Sequence, residues 1–243
     1  MAEAQVPANQ IETLNFFPTQ LFTQVNADFL PAVKEVAEEF LLRRATQEPA
    51  TKDHHLVHTE QISGDPRIAD FVKYVAQTGW NILNAQGYAM DNYNTFLTEM
   101  WVQEHRKYAI MEQHVHPYGN QIVGMYMLDT YPESNRLTIH DPRPGKVISG
   151  LPDRDMKQVT MASNMINFEL KPGQFIFAPA YLPHSFSLNM ADKPMRFVHF
   201  NISTMFVPPQ QPVQQLAQDA VKPQQPTTGL FTQVAQPKPV EII

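Results

Sequence analysis

The chain has 243 residues, 43% of them hydrophobic, enough for one good-sized domain or a domain with appendages. A net charge of −6 with scattered Lys and Arg argues against a broad basic face for nucleic acid or an anionic membrane. The absence of cysteine excludes a disulfide framework, a zinc ribbon and a thiol nucleophile, so any metal must be held by His and carboxylate, which favours iron, manganese or catalytic zinc.

No apolar run approaches a membrane-spanning length, and Met1–Gln5 lacks the features of a signal peptide, so the expectation is a soluble cytoplasmic protein. Residues 1–25 read as an extended segment, polar and then aromatic from Phe16, with Pro18 arguing against a helix. Residues 26–90 read as helical support. Asp28 can cap a helix bearing Leu30, Val33, Val36, Phe40 and Leu41 on one face, and Asp65-Pro66 opens a second with Ile68, Phe71, Val72 and Val75. Between them, the cluster Asp53-His54-His55-Leu56-Val57-His58 is read as loop histidines without a second ligand set.

From 91 to 206 the pattern changes to short strands, broken by Pro, Gly and Asn/Asp turns. They are expected at 96–102, 110–116, 122–128, 136–140, 166–170, 174–178 and 195–202. Helices first and strands afterwards give an α+β layout, mainly β, with a sandwich or barrel. Residues 207–243 are Pro/Gln-rich, a linker-like arm. Within it Leu230-Phe231-Thr232-Gln233-Val234 repeats Leu21-Phe22-Thr23-Gln24-Val25, which marks the arm as a candidate for binding a protein partner or a second copy of the chain.

The candidate chemistry lies in Glu112-Gln113-His114-Val115-His116-Pro117 and, far downstream, Pro183-His184. Side chains two apart on a strand share a face, so His114 and His116 project together, and a third imidazole from His184 would complete a metal site. By the same parity Glu112 is a candidate ligand or orienting partner. Arg196 shares parity with Val198, Phe200 and Ile202 on an apolar face, where a guanidinium needs a carboxylate, from the protein or from an anionic co-substrate. The stretch 141–164 is the expected mobile cover.

The order His-x-His, a Gly-x-Tyr strand, Pro-His after a Pro-Gly strand, and Arg a dozen residues later resembles the 2-oxoglutarate- and Fe(II)-dependent oxygenases. It is most similar to a prolyl-hydroxylase-like branch in marine bacterial and cyanophage genomes, whose members carry counterparts of Phe17–Phe22, Trp101-Val102, Asp141-Pro142-Arg143 and Arg196–Ile202. The resemblance covers roughly residues 15–203. It implies a double-stranded β-helix, or jelly roll, with the two helices packed outside. It further implies Fe(II) on His114, His116 and His184, and 2-oxoglutarate chelating the iron with its far carboxylate on Arg196. On the same resemblance Tyr126 is expected as a further cofactor contact, and Asn201, on the closing strand, as an outer partner. The reaction implied is decarboxylation of 2-oxoglutarate coupled to hydroxylation of an unidentified substrate. Two departures stand out: His116 holds the family's carboxylate position, and Val123-Gly124-Met125-Tyr126-Met127 replaces its Ser-Gly-x-Tyr-Tyr. They leave open a jelly-roll assembly protein, of a virus particle for instance. A cupin-type metal enzyme is also open, although Gln121 is the nearest residue to the expected cupin glutamate.

Overall fold

The structure, a computed structural model, describes residues 11, 17–47, 55–116 and 118–208. Most of the first 16 residues, Asp53, His54 and Pro117 lie outside these, as do the repeat at 230–234 and nearly all of the arm. By its internal contacts the chain divides after Val207.

Among the described residues the strands form two antiparallel sheets. The larger has six strands in the order β1 (Phe22–Val25), β8 (Gln174–Pro179), β5 (Asn120–Asp129), β10 (Met195–Phe206), β3 (Tyr93–His105) and β2 (Leu56–His58). The smaller has four, in the order β4 (Met111–His114), β9 (His184–Phe186), β6 (Leu137–His140) and β7 (Met165–Phe168). The helices α1 (Leu30–Gln47) and α2 (Ala69–Ala85) supply Val33, Val36, Phe71 and Val75 to a core shared with Met100, Val102, Tyr126, Val198 and Phe200 of the large sheet. A second core joins Met125, Met127, Met195 and Phe197 of the large sheet to Leu137, Ile139 and Phe186 of the small one. Strands β5 and β10 are therefore apolar on both faces, one under the helices and one inside the sandwich, and read as near-continuous hydrophobic runs.

Several boundaries differ from the sequence expectation for local reasons. The first helix starts at Leu30, and Asp28 is part of a turn in which its own N–H donates to Asn26 Oδ1 at 3.0 Å. Asp65 does cap, accepting from the Arg67 N–H, but over a single 3-10 turn, Pro66–Ile68, that leads into α2. Strands β3 and β10 extend well beyond 96–102 and 195–202, because they pair along their length from Met195↔His105 to Phe206↔Tyr93. Two close approaches need glycine. Gly173 turns into β8 at φ 79°, and a Cβ on Gly124 would sit 2.0 Å from the Phe200 ring.

One end of the inner core holds a polar knot. Asn189 Nδ2 donates to the backbone carbonyl of His105 at 2.8 Å, and His105 Nδ1 lies 2.6 Å from Asn135 Nδ2. The His105 ring meets Phe186 and Phe197 edge-on, and its burial pushes the imidazole pKa down to about 4. The unfolded chain takes up this proton near pH 6.5 while the folded one does not. Stability should be full above that pH and fall as pH drops from 6.5 to 4, by roughly 3 kcal/mol from this group. Urea unfolding across that range should show a shallower pH slope in His105→Leu than in the wild type.

Candidate metal centre

Two strand ends and one turn build the site. His114 closes β4 and His184 opens β9, and they face each other as register partners. His116 lies two residues past β4, and its N–H donates to the Ala180 carbonyl at 2.9 Å. That carbonyl belongs to the Pro179–Pro183 turn, itself closed by Leu182 N–H donating to Pro179 at 2.9 Å. The turn that presents His184 thus also fixes the backbone of His116.

One nitrogen from each of His114, His116 and His184 lies within 4.8 Å of the other two. His114 Nδ1 is 2.8 Å from the Glu112 carbonyl, and His184 Nδ1 is 3.0 Å from the Leu182 carbonyl. A carbonyl only accepts, so in the neutral rings Nδ1 carries the proton and Nε2 offers its lone pair. The Nε2 atoms of His116 and His184 are buried with no hydrogen-bond partner. A buried polar atom left unpaired is costly, and a cation between the rings would remove that cost. Burial, with the neighbouring imidazoles adding to it, holds His116 down to about 3 and His184 to about 4. At neutral pH both are uncharged, as metal ligation requires.

A fourth imidazole escaped the sequence reading. His199, on β10, is buried and stacks on the His116 ring at 4.9 Å, while Trp101 of β3 covers its other side at 4.5 Å. His58 of β2 lies beyond Trp101 at 5.8 Å. Burial first, then the three other imidazoles, puts the His199 pKa well below the usual histidine range. The signal was present in the sequence, because His199 shares parity with Met195 and Phe197, the inward residues of its strand.

Four expected site residues lie elsewhere or act otherwise. The Glu112 side chain is exposed, since β4 and β9 pair as Met111↔Phe186 and His114↔His184, with one residue more on β4. That bulge breaks the two-residue alternation, and only the Glu112 carbonyl reaches the site. Arg196 is on the helix side of the large sheet, where its Nε and Nη2 each lie 2.8 Å from Glu104 Oε2. Tyr126 is in the same outer core, its ring tilted against Phe175 with centroids 4.2 Å apart, and its hydroxyl donates to the Asn26 carbonyl at 2.9 Å. The apolar face that parity assigned to Arg196 is real, but it is the one beneath the helices. Asn201 is buried, donating to Glu99 Oε2 at 2.6 Å. The loop histidines His55 and His58 form no metal cluster among the described residues.

Residues 99–201 match the family model described as "Putative 2OG-Fe(II) oxygenase". Among solved structures, a prolyl-4-hydroxylase from Pseudomonas putida is 12% identical, covering 76% of this chain and 92% of its own, at a TM-score of 0.51. AviO1 from Streptomyces viridochromogenes Tue57 is 16% identical, covering 80% and 92%, at 0.53. HygX from Streptomyces hygroscopicus, with nickel, 2-oxoglutarate and hygromycin B bound, is 11% identical, covering 76% and 83%, at 0.50. At these identities the likeness establishes the fold. No curated protein matches in sequence. The matched family and the His114/His116/His184 triad support Fe(II) and 2-oxoglutarate as cofactors.

Removing one ligand and removing its support should differ in size. His184→Ala should abolish stoichiometric metal binding. His199→Ala should weaken it by roughly tenfold, the usual scale for losing an outer partner. His199→Phe keeps the stack on His116 and should bind metal nearly as the wild type does, in a chelator-competition titration.

Proposed function

We propose that the chain is a non-haem iron oxygenase, coupling 2-oxoglutarate decarboxylation to hydroxylation of a substrate, with Fe(II) held by His114, His116 and His184. The observation that carries this reading is the pair of buried, partnerless Nε2 atoms facing a third imidazole, in a chain that matches an oxygenase family. The two sheets then correspond to the halves of a double-stranded β-helix.

When bound, Fe(II) and 2-oxoglutarate supply the oxidising chemistry. The protein's own part is placement. The Glu112 and Leu182 carbonyls orient two imidazoles through Nδ1–H, and His199 with Trp101 sets the plane of the third. Three neutral donors leave the ion's charge uncompensated and its remaining positions open to anionic ligands.

Substrate has a place beside His184. A cleft of about 370 Å³ is lined by Leu21, Ile139, Arg143, Met161, Phe168 and Leu182. Ile139 pairs with His184 in register, and Leu182 supplies the carbonyl behind its ring. One wall comes from the expected cover, which contains a short helix, Pro144–Ile148. There Lys146 Nζ donates to the carbonyls of Ala162 and Ser163 and to Asn164 Oδ1, at 2.8, 2.8 and 2.6 Å. That staple joins the two ends of the stretch, so Lys146→Ala should loosen the cleft wall.

Anaerobic addition of Fe(II) and then 2-oxoglutarate should produce a weak visible charge-transfer band, and air should then release succinate. Both should vanish in His184→Ala. A folded wild-type protein that takes up no Fe(II) would overturn the assignment.

A further inference from the structure

We propose that this site grips a 2-oxo acid by its 2-oxo-carboxylate end alone, and so does not favour a diacid over a monocarboxylic 2-oxo acid of the same length. The proposal rests on the iron-oxygenase reading and concerns which co-substrates that site accepts.

A carboxylate drawn into a protein interior must find a counter-charge or dedicated donors, because desolvation otherwise outweighs what it gains. Inside this sandwich, among the described residues, the structure offers no cationic side chain at the depth where a second carboxylate would look for one, and the inward amide Gln103 is neutral. No Lys or Arg is buried among the described residues. Arg196 is committed on the opposite side of the sheet to Glu104, whose side chain is only 6% exposed and whose other oxygen accepts from Arg106 Nε at 2.8 Å. Turning Arg196 inward would break that ion pair and leave a buried carboxylate short of a partner.

The inward residues flanking Arg196 on β10 are Met195 and Phe197, both buried. Across the sandwich Phe197 stacks on Phe186 at 5.2 Å, two residues along β9 from His184. His105, the register partner of Met195, and Gln103, the register partner of Phe197, are the buried polar groups at this level. Gln103 Oε1 accepts from Trp101 Nε1 at 3.1 Å, and His105 stands edge-on to both phenyl rings within the knot of Asn135 and Asn189. The interior beyond the triad is thus largely an aromatic and thioether wall, with neutral polar groups and, among the described residues, no buried Lys or Arg. Such a wall accepts a methyl terminus as readily as it tolerates a carboxylate kept at the wet rim. The chelating end needs none of this, since an ion held by three neutral imidazoles attracts a carboxylate by its own charge.

The test compares 2-oxoglutarate with 2-oxopentanoate, the same five-carbon chain without the second carboxylate. Full-length protein loaded with Fe(II) is titrated anaerobically with each acid by calorimetry, with the visible band as a second readout. The expected result is two dissociation constants within about tenfold of each other, less than a charge-assisted pair would impose. Arg196→Gln should leave the ratio unchanged while lowering the midpoint of thermal unfolding. A preference for 2-oxoglutarate above tenfold, or a ratio that shifts in Arg196→Gln, overturns the proposal. Iron uptake with neither acid bound overturns it too, yet leaves the metal centre standing. No iron uptake at all is the separate failure of the oxygenase reading.

Discussion

Because β10 runs through the middle of the six-stranded sheet with apolar side chains on both faces, it decides which residues can reach the metal centre. Val198, Phe200 and Ile202 hold the helices, and Met195 and Phe197 hold the small sheet. A shift of the strand by one residue would exchange the two sets. That register is fixed by pairing along almost all of β3 and most of β5. His199 is carried to the His116 ring by the same constraint that carries Arg196 away from it.

The ligands were legible because each lies where local sequence rules hold. His114 and His116 are two apart at a strand end, and Pro183-His184 follows a Pro-bounded turn that can only present its histidine at a strand start. The amphipathic helices were legible from periodicity for the same reason. Parity failed at two kinds of place. At Glu112 an extra residue on β4 broke the alternation, and nothing in Glu-Gln-His-Val-His announces a bulge. At Arg196 parity gave the right set of companions, but a sheet covered on both faces has two apolar sides, and side-chain type cannot say which faces the histidine cluster. Only the partner across the strand, Glu104 for Arg196, settles that.

The electrostatics of the centre follow from its composition. Among the described residues the metal-binding cluster contains no carboxylate. Burial lowers the basicity of His116, His184 and His199, and the neighbouring imidazoles lower it further. These three rings are therefore uncharged at neutral pH with free Nε2 lone pairs, and protonation of any one of them is opposed by its neighbours. A cation placed between three of the rings satisfies the lone pairs at once, which couples metal uptake to the stability of the strand ends that present them.

The support behind each ligand is uneven, and that unevenness carries mechanistic weight. His114 and His184 are held by carbonyls of their own strand segments, a link that survives small shifts between the sheets. Among the described residues no such carbonyl holds the His116 ring. It is stacked on His184 at 5.1 Å with its plane only 7° away, and on His199 at 4.9 Å. Ring stacking restrains a plane less stiffly than a hydrogen bond restrains an atom. His116 also occupies the position where the resembled family carries a carboxylate. The softest ligand therefore stands at the site's point of departure from that family, and its orientation is set by Trp101 and His199 of the large sheet. Packing between the two sheets thus bears on the candidate metal site through His116, the ring that links His184 to His199 and Trp101.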